Sequence, residues 1–89
     1  MAVYRLKITR SAERQIESLP SADRRAVVTA IQGLAVDPRP RACRKLQGSR
    51  DAFRLRVRRY RVIYVVDDAT ITVLVLKVGH RKDVYRDLD

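Results

Sequence analysis

The stretch Phe53–Val78, FRLRVRRYRVIYVVDDATITVLVLKV, constrains the fold more than any other part of the chain. Apolar residues and arginines alternate through Phe53-Arg54-Leu55-Arg56-Val57, the two-residue period of a strand with one buried face. Two further strands are expected over Tyr60–Val66 and Thr70–Val78. The intervals between the three strands are short enough only for antiparallel hairpins. If Arg58-Arg59 is a two-residue loop, Val57 faces Tyr60 and Arg56 faces Arg61. Directly opposed residues point to the same side of a sheet. Arg54, Arg56 and Arg61 then share one face, and Phe53, Leu55, Val57, Val62 and Tyr64 share the other. Opposed like charges destabilise a sheet, so arginines kept in register imply a use for them. Guanidinium groups suit an anion with oxygens in a plane, such as phosphate. The loop lacks the Gly or Asn that tight hairpins prefer. The third strand is apolar on both sides, which predicts a central position covered on both faces.

Upstream, Val3–Ile8 alternates and reads as a strand. Thr9 or Ser11 can cap a helix carrying Ala12, Ile16 and Leu19, which Pro20 ends. Ser21 is expected to cap a second helix with the stripe Val27, Ala30, Ile31 and Leu34. Asp37-Pro38-Arg39-Pro40 breaks it. Arg41–Asp51 reads as a basic connection containing Gly48. The expected architecture is α+β: an N-terminal strand, a two-helix antiparallel hairpin on one face of a small sheet, then a three-stranded antiparallel meander. At 89 residues, positions 1–89 are expected to form one domain.

Charge narrows the function. Twenty Lys and Arg stand against ten Asp and Glu, for a net charge of +10. The basic residues concentrate between Arg39 and Arg61, where Asp51 is the only acid. Such a patch attracts polyanions by counterion release. It lies on strand-like sequence, which argues against a membrane-surface helix. The single cysteine, Cys43, excludes an internal disulfide and lacks a second Cys or nearby His for metal or nucleophile chemistry. No cofactor or metal motif is present. No apolar run follows Met1, and Asp67, Asp68 and Lys77 interrupt Val62–Val78, so neither a signal peptide nor a membrane span is expected. The expected location is cytoplasmic.

Beyond composition, Tyr60-Arg61-Val62-Ile63-Tyr64 and Leu76-Lys77-Val78-Gly79-His80-Arg81-Lys82-Asp83-Val84-Tyr85, with Lys45-Leu46 and the helical opening Ser11-Ala12-Glu13-Arg14, resemble the RelE family of bacterial toxins. The resemblance runs over essentially the whole chain. It implies a ribosome-dependent, metal-independent endoribonuclease, an mRNA interferase, that cuts mRNA in the ribosomal A site. In that reaction the 2′-hydroxyl attacks the adjacent phosphate, leaving a 2′,3′-cyclic phosphate and a 5′-hydroxyl. It also implies an acidic, helical RelB-like antitoxin, with operator DNA bound only through the toxin–antitoxin complex. Arg61 and Arg81 would stabilise the charge on the phosphorane. Tyr85 would orient or deprotonate the nucleophile, or stack on a base. Arg54 and Arg56 occupy positions where a well-known family pattern has lysines. Arginine stays charged throughout the working range, so these two would act electrostatically and proton transfer would fall elsewhere.

The other basic candidates, for RNA and ribosome contact, are Arg44, Lys45, Arg50, Arg58, Arg59, His80 and Lys82. Each has a plainer reading. Arg61 and Arg81 could form salt bridges with Asp67, Asp83 or Asp87, and Tyr85 could be a C-terminal anchor. His80 titrates near neutrality but can point away from the arginines. Tyr60 and Tyr64 read as packing residues. The same fold would also serve a ParE-like toxin that inhibits DNA gyrase by binding, or a generic nucleic-acid-binding module. An enzyme needs Arg61, Arg81 and Tyr85, whereas a gyrase binder does not.

Overall fold

The computed structural model describes residues 3–48 and 51–80. It begins with strand β1 (Arg5–Ile8), followed by helix α1 (Arg10–Glu17) and helix α2 (Ser21–Gly33). Strands β2 (Cys43–Lys45), β3 (Ala52–Val57), β4 (Tyr60–Asp67) and β5 (Thr72–His80) complete it. Thr9 is the N-cap of α1: its backbone is extended and its Oγ1 accepts from the Ala12 N–H at 3.1 Å. Ala12 and Ile16, one turn apart, are the buried residues of this helix. For α2, the expected cap is corrected. Pro20 occupies the N-cap without a side-chain hydrogen bond, and Ser21 is the first helical residue. The fixed φ of proline sets the chain for helix entry, so a hydroxyl cap is dispensable here.

The sheet has five strands in the order β1-β5-β4-β3-β2. This differs from the expected layout in three ways. First, β1 pairs with β5 in parallel, Arg5 opposite Thr72 and Ile8 opposite Val75. The connection from β1 to β5 is long enough to cross over, as parallel pairing requires. Second, the basic connection contains β2, antiparallel to β3 with Arg44 opposite Arg54. Three residues are too few to show an alternation, although Cys43 does pack against the core. Third, the middle strand is β4. Tyr60 to Tyr64 are buried without interruption, while β5 buries one face more deeply than the other.

The β3–β4 register is the one expected from the sequence: Val57 opposite Tyr60, Arg56 opposite Arg61, Leu55 opposite Val62, Phe53 opposite Tyr64. The bulge lies between β4 and β5. Ile63 pairs with Lys77 and Tyr64 with Val75, leaving Leu76 as the extra residue. Leu76 turns its carbonyl to Thr9 Oγ1, which donates to it at 2.9 Å.

The core lies between the helices and one sheet face. Val27, Ile31 and Leu34 from the α2 side, with Ala12 and Ile16, meet Phe53, Leu55, Val62, Tyr64, Val66, Val73, Val75 and Val78. Tyr64 is fully buried and donates its hydroxyl to the Pro38 carbonyl at 2.8 Å. Burial pushes its phenol pKa up. Among the described residues, no helix is long and apolar enough to cross a membrane.

Candidate nucleic-acid interface

Alternation along the strands sends the residues between the core positions to the uncovered sheet face. Arg44, Arg54, Ile63 and Lys77 form one row across β2, β3, β4 and β5. Arg56, Arg61 and Gly79 form the next. Ile63 is fully buried although it lies on this polar face. Arg54 and Lys77, half-buried, flank it in register, and their aliphatic stems can shield it.

Arg61 is the unusual member. It is only 3% exposed, it sits opposite another arginine, and its Nε has no hydrogen-bond partner among the described residues. Asp67, a suggested ion-pair partner, instead accepts from the backbone N–H groups of Ala69 and Thr70. Native proteins seldom leave a buried polar atom of a charged group without a partner, and such an exception calls for an explanation. Arg56, Arg58, Arg59, Arg61 and His80 line a shallow concavity of about 360 Å³. Four guanidinium groups around one open hollow can hold a phosphate or a chain of them.

The hairpin tip is built differently from its sequence appearance. Arg58 has φ 54°, a left-handed conformation usually left to Gly or Asn. Its guanidinium donates to Asp23 Oδ1 at 3.0 Å. Tyr60 donates its hydroxyl to Asp23 Oδ2 at 2.9 Å. These contacts, Tyr60 first and Arg58 second, hold the Asp23 carboxyl below its ordinary pKa, and the same bond raises that of Tyr60. His80 stands opposite Tyr60 in register, with its ring edge-on at 5.5 Å between centroids. It therefore packs on the helix-side row while its rim reaches the hollow. Tyr60 and Tyr64 are packing residues, as expected.

Not every candidate joins this group. Arg44 shares the arginine face, but Lys45 is opposite Phe53, in a row belonging to the other side. Arg39, at the start of the basic patch, is paired with Asp68 at 2.8 Å and stacks over Phe53 at 5.4 Å. Arg50, Arg81, Lys82 and Tyr85 lie outside the described residues. Sequence reasoning missed Lys77, whose place on the arginine face depends on the bulge. It also missed Gln15, whose Oε1 accepts from the Val78 N–H at 2.7 Å. Strand β1 ends opposite Val75, so Gln15 steadies the far half of β5 on the side that β1 no longer flanks, β4 pairing the other side. No local signal marks a contact between residues 63 positions apart.

A five-stranded mixed sheet with two helices on one face and arginines on the other defines a RelE-type α+β domain. The sequence profile described as the ParE toxin of the type II toxin–antitoxin system parDE matches residues 6–85. Toxin RelG of Mycobacterium tuberculosis is 36% identical over 88 residues, covering 93% of this chain and 97% of that protein. The RelE–RelB complex of Pyrococcus horikoshii superposes with a TM-score of 0.81 at 32% identity, over 91% of this chain and 98% of its counterpart. The isolated RelE toxin of E. coli gives 0.77 at 29% identity, over 96% and 94%. The chain belongs to the RelE family within the RelE/ParE superfamily and is a toxin of a type II toxin–antitoxin system.

Proposed function

We propose that this toxin is a ribosome-dependent mRNA interferase whose arginine hollow binds the scissile phosphate. The observation that carries the reading is Arg61, buried and, among the described residues, unpartnered at Nε, at the edge of a hollow lined by three more arginines. Its desolvated charge is a preorganised stabiliser for the negative charge that builds on phosphate during 2′-hydroxyl attack. Arg56 and Arg54 reinforce the field, and Arg81 completes the charge stabilisation. Tyr85 orients or deprotonates the nucleophile. The 2′-hydroxyl gives up its proton as it bonds to phosphorus, and the bond from phosphorus to the 5′-oxygen breaks. That oxygen takes up a proton from Tyr85, His80 or a group of the ribosome or RNA, since the arginines stay charged. Arg44, Arg50, Arg58, Arg59, Lys45, His80 and Lys82 serve RNA and ribosome contact. The ribosome supplies the in-line geometry that free mRNA rarely adopts. The solved relatives include toxin–antitoxin complexes, which supports an antitoxin partner for this chain too. An acidic helical segment folding onto the basic face would neutralise it.

The test is cleavage of mRNA on programmed ribosomes, with 5′ ends mapped. Arg61→Ala and Arg81→Ala should each lower the rate by about 10²–10³-fold. Tyr85→Phe should behave like Tyr85→Ala if the hydroxyl handles a proton, and stay near wild type if the ring only stacks. Equally efficient cutting of protein-free mRNA would refute ribosome dependence. The matching profile is that of ParE toxins, which favours a second reading, inhibition of DNA gyrase by binding. Gyrase inhibition that survives Arg61→Ala, with no mRNA cleavage, would establish that reading instead.

A further inference from the structure

The mechanism above makes no use of Asp23, yet among the described residues Asp23 is the one carboxylate paired with an arginine that lines the hollow. Its side chain is only 20% exposed, against 53% for Arg58, so the carboxylate is the more enclosed partner and the guanidinium the more solvent-accessible one. It accepts from Arg58 Nη1 on one oxygen and from the Tyr60 hydroxyl on the other. Arg59 also contributes to its electrostatic environment. Asp23 stands in the first turn of α2, Arg58 is in the tip of the β3–β4 hairpin, and Tyr60 begins β4 just after it. The turn itself would favour Gly or Asn at position 58, because the backbone there is left-handed. An arginine is kept at a strained position, and the structure shows it paired with Asp23.

We propose that Asp23 is an internal stand-in for phosphate, holding Arg58 at the rim of the hollow until a polyanion competes for it. The inference rests on the reading of the hollow as a phosphate-binding site. Carboxylate and phosphate both present oxygens that a guanidinium binds with charge-assisted hydrogen bonds, so either can occupy Arg58. An exposed ion pair of this kind is weak, which makes the exchange easy. While the pair stands, one of the hollow's four arginines is neutralised, and attraction to RNA is moderated. Tyr60 stays bound to Asp23 during the exchange and keeps its edge contact with His80, so the hairpin holds its place as Arg58 swings out.

Heparin is the probe, because it is a polyanion whose binding needs neither a ribosome nor cleavage. Asp23→Asn removes the charge but keeps an oxygen for the Tyr60 hydroxyl. It should tighten heparin binding by about two- to fivefold, the scale of one exposed ion pair. Glu17→Gln is the control: Glu17 is exposed on α1, has no ion pair among the described residues, and loses the same charge. Arg58→Ala should weaken binding less than Arg59→Ala in the wild-type background, and by as much in the Asp23→Asn background. The first half of that comparison needs no change at Asp23 and stands even if Asp23→Asn folds poorly. Tightening by Asp23→Asn no greater than by Glu17→Gln overturns the proposal, as does an Arg58→Ala effect equal to that of Arg59→Ala in the wild type. Ribosomal cleavage is assayed in parallel. The heparin pattern without any cleavage defeats the proposed function and leaves Asp23's role intact; cleavage without the pattern does the reverse.

Discussion

A buried arginine facing another arginine works against stability, and Arg61 is in that position. Its Nε lacks a partner among the described residues, so its charge is desolvated with incomplete compensation. Replacing a poorly compensated buried charge with an apolar side chain of similar length often stabilises a protein. Arg61→Met should therefore raise stability by about 1 kcal/mol or more, a Tm increase of about 4–8 °C for a domain of this size. The same variant should lose ribosomal cleavage. Thermal unfolding followed by circular dichroism, beside the cleavage assay, checks both halves. A Tm below wild type would show that the guanidinium is well satisfied and is there for structure. Such opposition between stability and activity is expected where a site holds strained or unpaired groups.

At the scale of elements, two features of β5 decide what the sheet presents. The bulge at Leu76 returns Lys77 to the arginine face, and Thr9 at the N-cap of α1 and Gln15 in its last turn hold the bulged half in place. The turn entering β5 carries a strain of its own. Ile71 has φ 51°, a conformation that a β-branched residue adopts only at a cost, and its side chain is 41% exposed. Left-handed backbone costs an ordinary residue about 1–2 kcal/mol, and Asn visits it most readily after Gly. Ile71→Asn should stabilise the protein by about 1 kcal/mol, read as a shift in the urea midpoint with unchanged slope. A destabilised Ile71→Asn would mean that the exposed isoleucine covers apolar surface worth more than the strain.

At the scale of the whole molecule, two acids join segments that are distant in sequence. Asp68 accepts from Tyr4 at 2.7 Å and from Arg39 at 2.8 Å, tying the start of β1 and the loop after α2 to the β4–β5 turn. Arg39 first, then Tyr4, hold the Asp68 carboxyl below its ordinary pKa, as Tyr60 and Arg58 do for Asp23. A carboxyl depressed on folding binds more protons when unfolded. Its contribution is fully present above the unfolded value of about 4 and fades as pH falls through the lower folded value. Wild type and Asp68→Asn should therefore differ in Tm at neutral pH and converge in acid, as pH falls through the lowered folded value of Asp68. A constant gap across that range would show that the ionised carboxylate is not what matters. With a net charge of +10, the compact state also repels itself. Raising salt from about 0.05 to 0.5 M at neutral pH should raise the Tm by screening that repulsion, unless the ion pairs dominate, in which case it falls.

The alternation of Arg54, Arg56 and Arg61 with apolar neighbours determined, without any coordinates, which face of β3 and β4 carries charge. A two-residue hairpin leaves one register, and a period of two leaves one set of faces. Thr9, Pro20 and the Val27–Leu34 stripe likewise marked both helices, because caps, breakers and helical spacing act within a few residues. The parallel partner of β1, the strand hidden in Cys43–Lys45 and the bulge at Leu76 are non-local, and no short-range pattern encodes them. The same holds for Asp23. Its position in a first helical turn reads as ordinary dipole complement, and only the packing of α2 against the sheet brings it to Arg58 and Tyr60. Short-range chemistry wrote the elements and their faces into the sequence. Which elements meet, and so which charges are paired and which are left for a ligand, was decided by burying one sheet face against two helices.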